Sequence, residues 1–473
     1  MGSSILQNLT ALASSQFLAI GIRFLYLLGI ARMLAPDEVG IYLYGSALCL
    51  GAGSISLFGQ GEFLIRRLGG HGGISLPVLH HSLTLALSST FIVTAGLVLF
   101  VWASEPDPLV RLVLLCFVAA MLARVIVLWG RLVYIAIKHT TWIPRYEVIF
   151  HGTEALIGVG ALYAGGGLLA IGLIYLLSWI MEAGFTLRKL AREYPDALGF
   201  GYRWGYLTKV TSVSLLFLIS GAAMGLFSQI AIILLRHLQP DEAFVGHFGI
   251  ATRLMFILVI IPASATEAFA PHLSYSFSRG DGGRDVIPIM KIIGLVALVT
   301  AIMTAAYAPW FIALVLGPEY AEASGLLRWL CWAVTPYAVV VFLCQGLNAI
   351  DRRREVVFIT ATMTLTHVVL LITFFEYQSP VIATIGSIIV ATVGSMVAAM
   401  YQVSRQFRSL GNEWWLKFIF VMVATYMVFE ISQLPLTITA PVALATGFLL
   451  IRLVNLFDHH DINAIRSLLG RKN

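Results

Sequence analysis

The 473 residues are 59% hydrophobic and only 11% charged, with a formal net charge of +6. Water-soluble domains carry roughly 25% charged residues, so this chain has too few charges to coat a soluble surface. The excess of Lys and Arg forms no basic face interleaved with aromatics, which argues against a nucleic-acid partner. Four cysteines (Cys49, Cys116, Cys331, Cys344) stand in apolar stretches with no CxxC spacing and read as small buried side chains.

Apolar runs near the ~20 residues needed to cross a bilayer recur along the whole chain. In chain order they predict helices near 12–34, 40–62, 79–103, 108–133, 145–164 and 168–190. The second half continues with 209–235, 243–271, 287–315, 324–350, 356–376 and 380–404, and a last pair lies near 414–433 and 436–457. The expectation is an all-α, polytopic membrane protein of about 14 transmembrane helices. Lys and Arg fix its orientation, because inner loops retain positive charge. With the N-terminus inside, the inner side and tail hold 23 of the 30 Lys and Arg, including Arg131 and Lys291, and the outer side holds only Arg32, Arg111, Arg236 and Arg328. Both termini are therefore expected on the cytoplasmic face. Tyr194–Tyr206, and a tail with Ile462, Ile465, Leu468 and Leu469 at helical spacing, suit the membrane interface or plain loop packing.

A self-match organises these spans. Arg32-Met33-Leu34-Ala35-Pro36-Asp37-Glu38 recurs as Arg236-His237-Leu238-Gln239-Pro240-Asp241-Glu242, each copy at an outer turn. Six spans separate the copies, so both enter the membrane in the same direction, as in a parallel repeat. The expected domains are a six-helix lobe over 1–190, a cytoplasmic linker over 191–208, a second six-helix lobe over 209–410, and two extra helices with a tail over 411–473. Two such lobes around a central cavity are an architecture for alternating access.

Ionisable groups inside spans cost several kcal/mol, and usually face an interior cavity. Arg23, Arg124 and Arg253 fall near mid-depth in the first, fourth and eighth spans. Glu154 lies mid-depth in the fifth, one turn from His151, while Glu182 and Glu267 lie closer to the inner side. Arg124 and Glu154 are candidates to neutralise each other, and Glu182 and Glu267 to snorkel towards the interface. Arg23 and Arg253 have no partner near them in sequence. Guanidinium groups stay charged and grip phosphate oxygens through a two-pronged fork, so Arg23, Arg124 and Arg253 are the candidate substrate-binding residues. Glu154, Glu182 and Glu267 are the candidates for a coupling ion. Pro262, Pro309 and Pro336 fall inside spans and are expected to bend them, and Gly221–Gly225 forms a GxxxG packing motif. No P-loop, GxSxG or HExxH pattern appears, so neither an enzyme nor a cofactor or metal site is expected.

The strings ARMLAPDEVGIYLYGSA (31–47), LGPEYAEASGLLRWL (316–330) and GLNAIDRRREV (346–356) resemble the oligosaccharide flippases of the polysaccharide transporter family. That family sits within the superfamily of multidrug, oligosaccharidyl-lipid and polysaccharide flippases. The resemblance implies transport of polyprenyl-pyrophosphate-linked oligosaccharide from the inner to the outer leaflet of a bacterial plasma membrane. The process is surface polysaccharide biosynthesis (lipopolysaccharide or exopolysaccharide), with polymerase and assembly proteins as partners beside the lipid itself. In related flippases of lipid-linked peptidoglycan precursors, arginines of the first and eighth spans line the cavity, which would correspond to Arg23 and Arg253. The alternative is a cation-coupled exporter of small amphipathic compounds, in which Glu154 or Glu182 binds the ion. A membrane polymerase would need a large outer loop, and every expected outer loop is short.

Overall fold

In the computed structural model, residues 2–457 and 461 are described, apart from 58, 62, 63, 65–74, 138, 139, 141, 202, 203, 240, 279–281, 407–412 and 432–435. The tail residues proposed for an interfacial helix lie outside them. Every described element is helical. The first six spans are α1 (Gly2–Met33), α2 (Pro36–Ser56), α3 (Leu76–Ser104), α4 (Pro108–Ala136), α5 (Ile143–Tyr163) and α6 (Gly167–Glu193). The seventh is α7 (Trp204–Phe227) with α8 (Ile230–Leu238), followed by α9 (Glu242–Ser278) and α10 (Gly282–Val315). The tenth is α11 (Ala321–Leu330) with α12 (Val334–Ala349). Then come α13 (Arg353–Tyr377), α14 (Pro380–Gln406), α15 (Glu413–Ile431) and α16 (Leu436–Leu453). Helices thus occupy all fourteen expected places. Among the described residues, 10 are long and apolar enough to cross a membrane, or 11 when the bent seventh is counted.

Two spans are not the straight rods that apolarity suggests. The seventh bends by 53° between Phe227 and Ile230. There Ser228 Oγ donates to the Gly225 carbonyl at 2.9 Å, a side-chain bond that competes with the backbone ladder. The tenth is interrupted by a 3-10 turn over Cys331–Ala333, and Pro336 stands in the first turn of its second half, where a missing N–H is tolerated. Pro309 lies inside α10. Of the GxxxG pair, only Gly225 is tightly packed: a Cβ there would press on Ser54 of α2, whereas Gly221 faces open space.

The chain forms two compact units, Met1–Gly249 and Ile250–Asn473. In the first, α3 packs on α4, α4 on α6, and α5 on α6, with α2 against α4 and α1 against α5. In the second, α10 packs on α11 and α12, these on α14, and α13 on α14. Numbered by span, third–fourth, fourth–sixth and fifth–sixth recur as ninth–tenth, tenth–twelfth and eleventh–twelfth. Both RxLxPDE strings fall within the first unit. The C-terminal pair α15–α16 packs on α10, where Phe418 lies against Gly294. Glu430 ties α15 to the tenth span by accepting from Arg328 at 2.7 Å and from Trp332 Nε1 at 3.2 Å.

Both copies of the motif form the turn between consecutive helices. In the first, Ala35 N–H donates to Glu38 Oε2 at 3.3 Å and closes the start of α2. In the second, Asp241 Oδ1 accepts from Ala243 N–H at 3.0 Å, and Arg236 pairs with Glu242 at 2.5 Å and with buried Glu105 at 3.2 Å. Gly40 lies against the Glu242 carbonyl and Gly246 against the Pro36 carbonyl, so the two turns meet backbone to backbone where a Cβ would intrude.

Within Tyr194–Tyr206, Pro195–Ala197 form a 3-10 turn, Trp204–Tyr206 open α7, and Phe200 is exposed. Ala197 is fully buried in a cluster with Leu79, Trp129 and Leu190, and His80 Nε2 bonds the Asp196 carbonyl at 2.7 Å. His80 is thereby engaged with backbone.

Candidate functional site

The first unit concentrates its intramembrane charges where α1, α4, α5 and α6 meet. Those helices are apolar nearly throughout, so each polar group inside them must find a partner within the protein. Arg131 of α4 does so twice: it donates to Glu147 of α5 at 2.6 Å and to Glu182 of α6 at 2.5 Å. Glu182 is buried. Arg131, counted among the inner-side charges by sequence, is thus a buried cross-link of three helices, because α4 runs on to Ala136. Glu182 pairs with it through Oε1, while its Oε2 is buried without a hydrogen-bond partner.

Glu154 of α5 is also buried, and the expected neutralising pair with Arg124 does not form. Its Oε2 instead accepts from Ser178 Oγ of α6 at 3.1 Å and lies 3.6 Å from His151 Nδ1, one turn earlier. The other ring nitrogen of His151 receives the Arg23 guanidinium at 2.8 Å. A guanidinium only donates, so His151 Nε2 is the acceptor and the ring's proton sits on Nδ1, facing Glu154. Arg23 and His151 are thus bonded across α1 and α5, and Glu154 and Ser178 across α5 and α6, with a 3.6 Å gap between His151 Nδ1 and Glu154 that is too long for a hydrogen bond.

Arg124 of α4 has a looser environment. Its Nη1 reaches the Cys49 carbonyl of α2 at 3.4 Å, and its Nε is buried without an acceptor. Its guanidinium occupies the space that a Cβ of Gly53 would fill. Both Arg23 and Arg124 lie over the ring of Trp179, with Cζ at 5.5 Å and 5.8 Å from its centroid. Neither has a carboxylate within ion-pair distance among the described residues, because Arg131 holds Glu147 and Glu182 while His151 and Ser178 flank Glu154. The outcome is two cations on one aromatic platform without a direct ion pair, Arg23 reaching the Glu154 carboxylate only through His151. Sequence reasoning had singled out both arginines but missed Trp179, Arg131, Glu147 and Ser178, whose contacts join residues 16 to 156 positions apart on different helices.

Arg253 lies half-buried on α9 in the second unit. Glu267 falls in the same helix, but its side chain is outside the described part. No group of three or more His, Cys, Asp or Glu residues suited to a metal occurs among the described residues.

No family model matches the chain, and no curated protein matches it. Solved structures do match. Lipid II flippase MurJ, in an inward closed conformation, aligns at TM-score 0.69 and 11% identity over 97% of this chain and 100% of its own. An inward-facing multidrug resistance MATE family transporter of the MOP superfamily aligns at TM-score 0.66 and 15% identity, over 82% and 96%. A mutant of the Vibrio cholerae MATE transporter VcmN aligns at TM-score 0.57 and 12% identity, over 87% and 97%. At these identities the likeness shows the fold alone: an all-helical, multi-pass membrane architecture similar to that of these solved transporters.

Proposed function

We propose that the protein is a flippase that carries a polyprenyl-pyrophosphate-linked oligosaccharide from the cytoplasmic to the outer leaflet by alternating access. The observation that carries this reading is the pair of guanidiniums, Arg23 and Arg124, held over Trp179 with no carboxylate within ion-pair distance of either among the described residues. Uncompensated charge inside hydrocarbon is expensive. Its presence makes sense if an anion completes the site, and arginine forks match phosphate oxygens.

The physics of such a cargo suits the fold. A sugar–pyrophosphate head cannot cross hydrocarbon, whereas the polyprenyl tail never has to leave it. A membrane potential contributes about 2.3 kcal/mol per charge per 100 mV and favours outward movement of an anion from a negative interior. In a bacterium whose own copy of the gene is deleted, wild-type protein should restore surface glycan. The double variant Arg23→Ala, Arg124→Ala should leave lipid-linked glycan on the inner leaflet at unchanged protein level. Normal export by that variant would overturn the assignment.

A second reading is favoured by one feature. Glu154 lacks an arginine partner and adjoins a neutral imidazole, which suits a coupling cation in an exporter of small amphipathic compounds. Drug resistance conferred on an efflux-deficient host, and lost in Glu154→Gln, would support it over the flippase.

A further inference from the structure

Trp179 is a buried tryptophan at the meeting of the intramembrane charges. Only 2% of its surface is exposed, yet its indole N–H has no acceptor. Buried tryptophans usually satisfy that group, so something other than the polar handle holds this one. What surrounds it is cationic or aromatic. Arg23 arrives from α1 and Arg124 from α4, His151 of α5 meets the ring edge-on at 5.7 Å, and Tyr175 lies one turn earlier at 6.3 Å. Four helices thus converge on one indole, and both guanidiniums fall within the ~6 Å at which the ring's negative face attracts a cation.

We infer that Trp179 is a positioning residue for the anionic head group. Its ring holds the Arg23 and Arg124 guanidiniums, each within 6 Å of its centroid, so that both are in place when a phosphate arrives. A carboxylate would hold them more tightly but would cancel the charge the ligand needs. An aromatic face steadies the cations and leaves their net charge intact. This inference rests on the flippase reading of Arg23 and Arg124, and it adds a residue that contacts no ligand itself.

The test uses the full-length protein in lipid nanodiscs, titrated calorimetrically with inorganic pyrophosphate, alongside thermal unfolding without ligand. Trp179→Phe keeps an aromatic face and should bind within about threefold of wild type, whereas Trp179→Leu keeps apolar bulk without the face and should bind about tenfold more weakly. Equal affinities for the two variants overturn the inference. If Trp179→Leu does not fold, fluorinated tryptophans placed at position 179 alone weaken the ring's negative face at nearly constant volume. Affinity should then fall with each added fluorine, and a flat series overturns the inference. Arg23→Ala and Arg124→Ala separate the two levels. If they weaken pyrophosphate binding while the Trp179 variants do not, Trp179 is only packing. If they leave binding unchanged, or wild type does not bind pyrophosphate, the head-group reading fails and the positioning role with it.

Discussion

Arg131→Leu removes one side chain and strands two carboxylates. Arg131 makes two short charge-assisted bonds, to Glu147 at 2.6 Å and Glu182 at 2.5 Å, and the side chains of the three are 15%, 14% and 5% exposed. Such bonds contribute ~1.5–3 kcal/mol each, and breaking a buried pair by deleting one partner costs ~3–5 kcal/mol because the survivor stays uncompensated. With two survivors, the expected loss is at the upper end, about 4–5 kcal/mol. Desolvation causes most of that loss, so removing the stranded charges should reverse it. The triple variant Arg131→Leu, Glu147→Gln, Glu182→Gln replaces the ionic cross-link by neutral groups and should recover most of the stability. Equilibrium unfolding of the purified protein in detergent–SDS mixtures reads both values. The reasoning is refuted if the single variant is as stable as wild type, or if the triple variant is no more stable than the single one.

Three further outcomes follow from the same structure. Gly53→Ala puts a methyl where the Arg124 guanidinium sits; the long side chain can swing away, so unfolding should shift by less than about 1 kcal/mol, while surface glycan export falls as far as in Arg124→Ala. Gly246→Ala sets a Cβ against the Pro36 carbonyl, which cannot swing aside, and should cost about 2 kcal/mol or more, whereas Gly221→Ala, facing open space, should be neutral or better by unfolding. In the second unit, Lys291 donates to Asp461 and to the Leu456 carbonyl, both at 2.7 Å; Lys291→Met leaves the buried Asp461 without that partner and should destabilise by about 3 kcal/mol, with Asp461→Asn in the same chain restoring part of it.

The number and order of the spans were legible because a hydrocarbon core imposes a length and a polarity that any sequence must meet. The RxLxPDE strings marked turns between helices because turns carry their chemistry locally: Glu38 and Asp241 act on backbone within three residues of themselves. Breaks were less visible. The bend after Phe227 depends on the side chain of Ser228, and the turn at Cys331–Ala333 has no proline or glycine within it to announce it. The site was legible by residue type but not by partner. Charge in a span flagged Arg23, Arg124, Glu154 and Glu182, yet which of them neutralise each other depends on helix rotation and crossing. Arg131 took Glu182, Arg124 took no carboxylate, and Trp179 joined the arginines, because α4 and α6 pack face to face. Trp179 reads in sequence as one more apolar residue of the sixth span, and only its neighbours give it a role.

Translocation by purified protein in proteoliposomes, with a fluorescent polyprenyl-pyrophosphate-linked oligosaccharide as the only cargo, tests the central claim most directly. Wild type should move the label across the bilayer, faster when the potential drives anions in that direction, and the Arg23→Ala, Arg124→Ala variant should fall to the rate of protein-free vesicles. Transport by that variant at the wild-type rate would contradict the account.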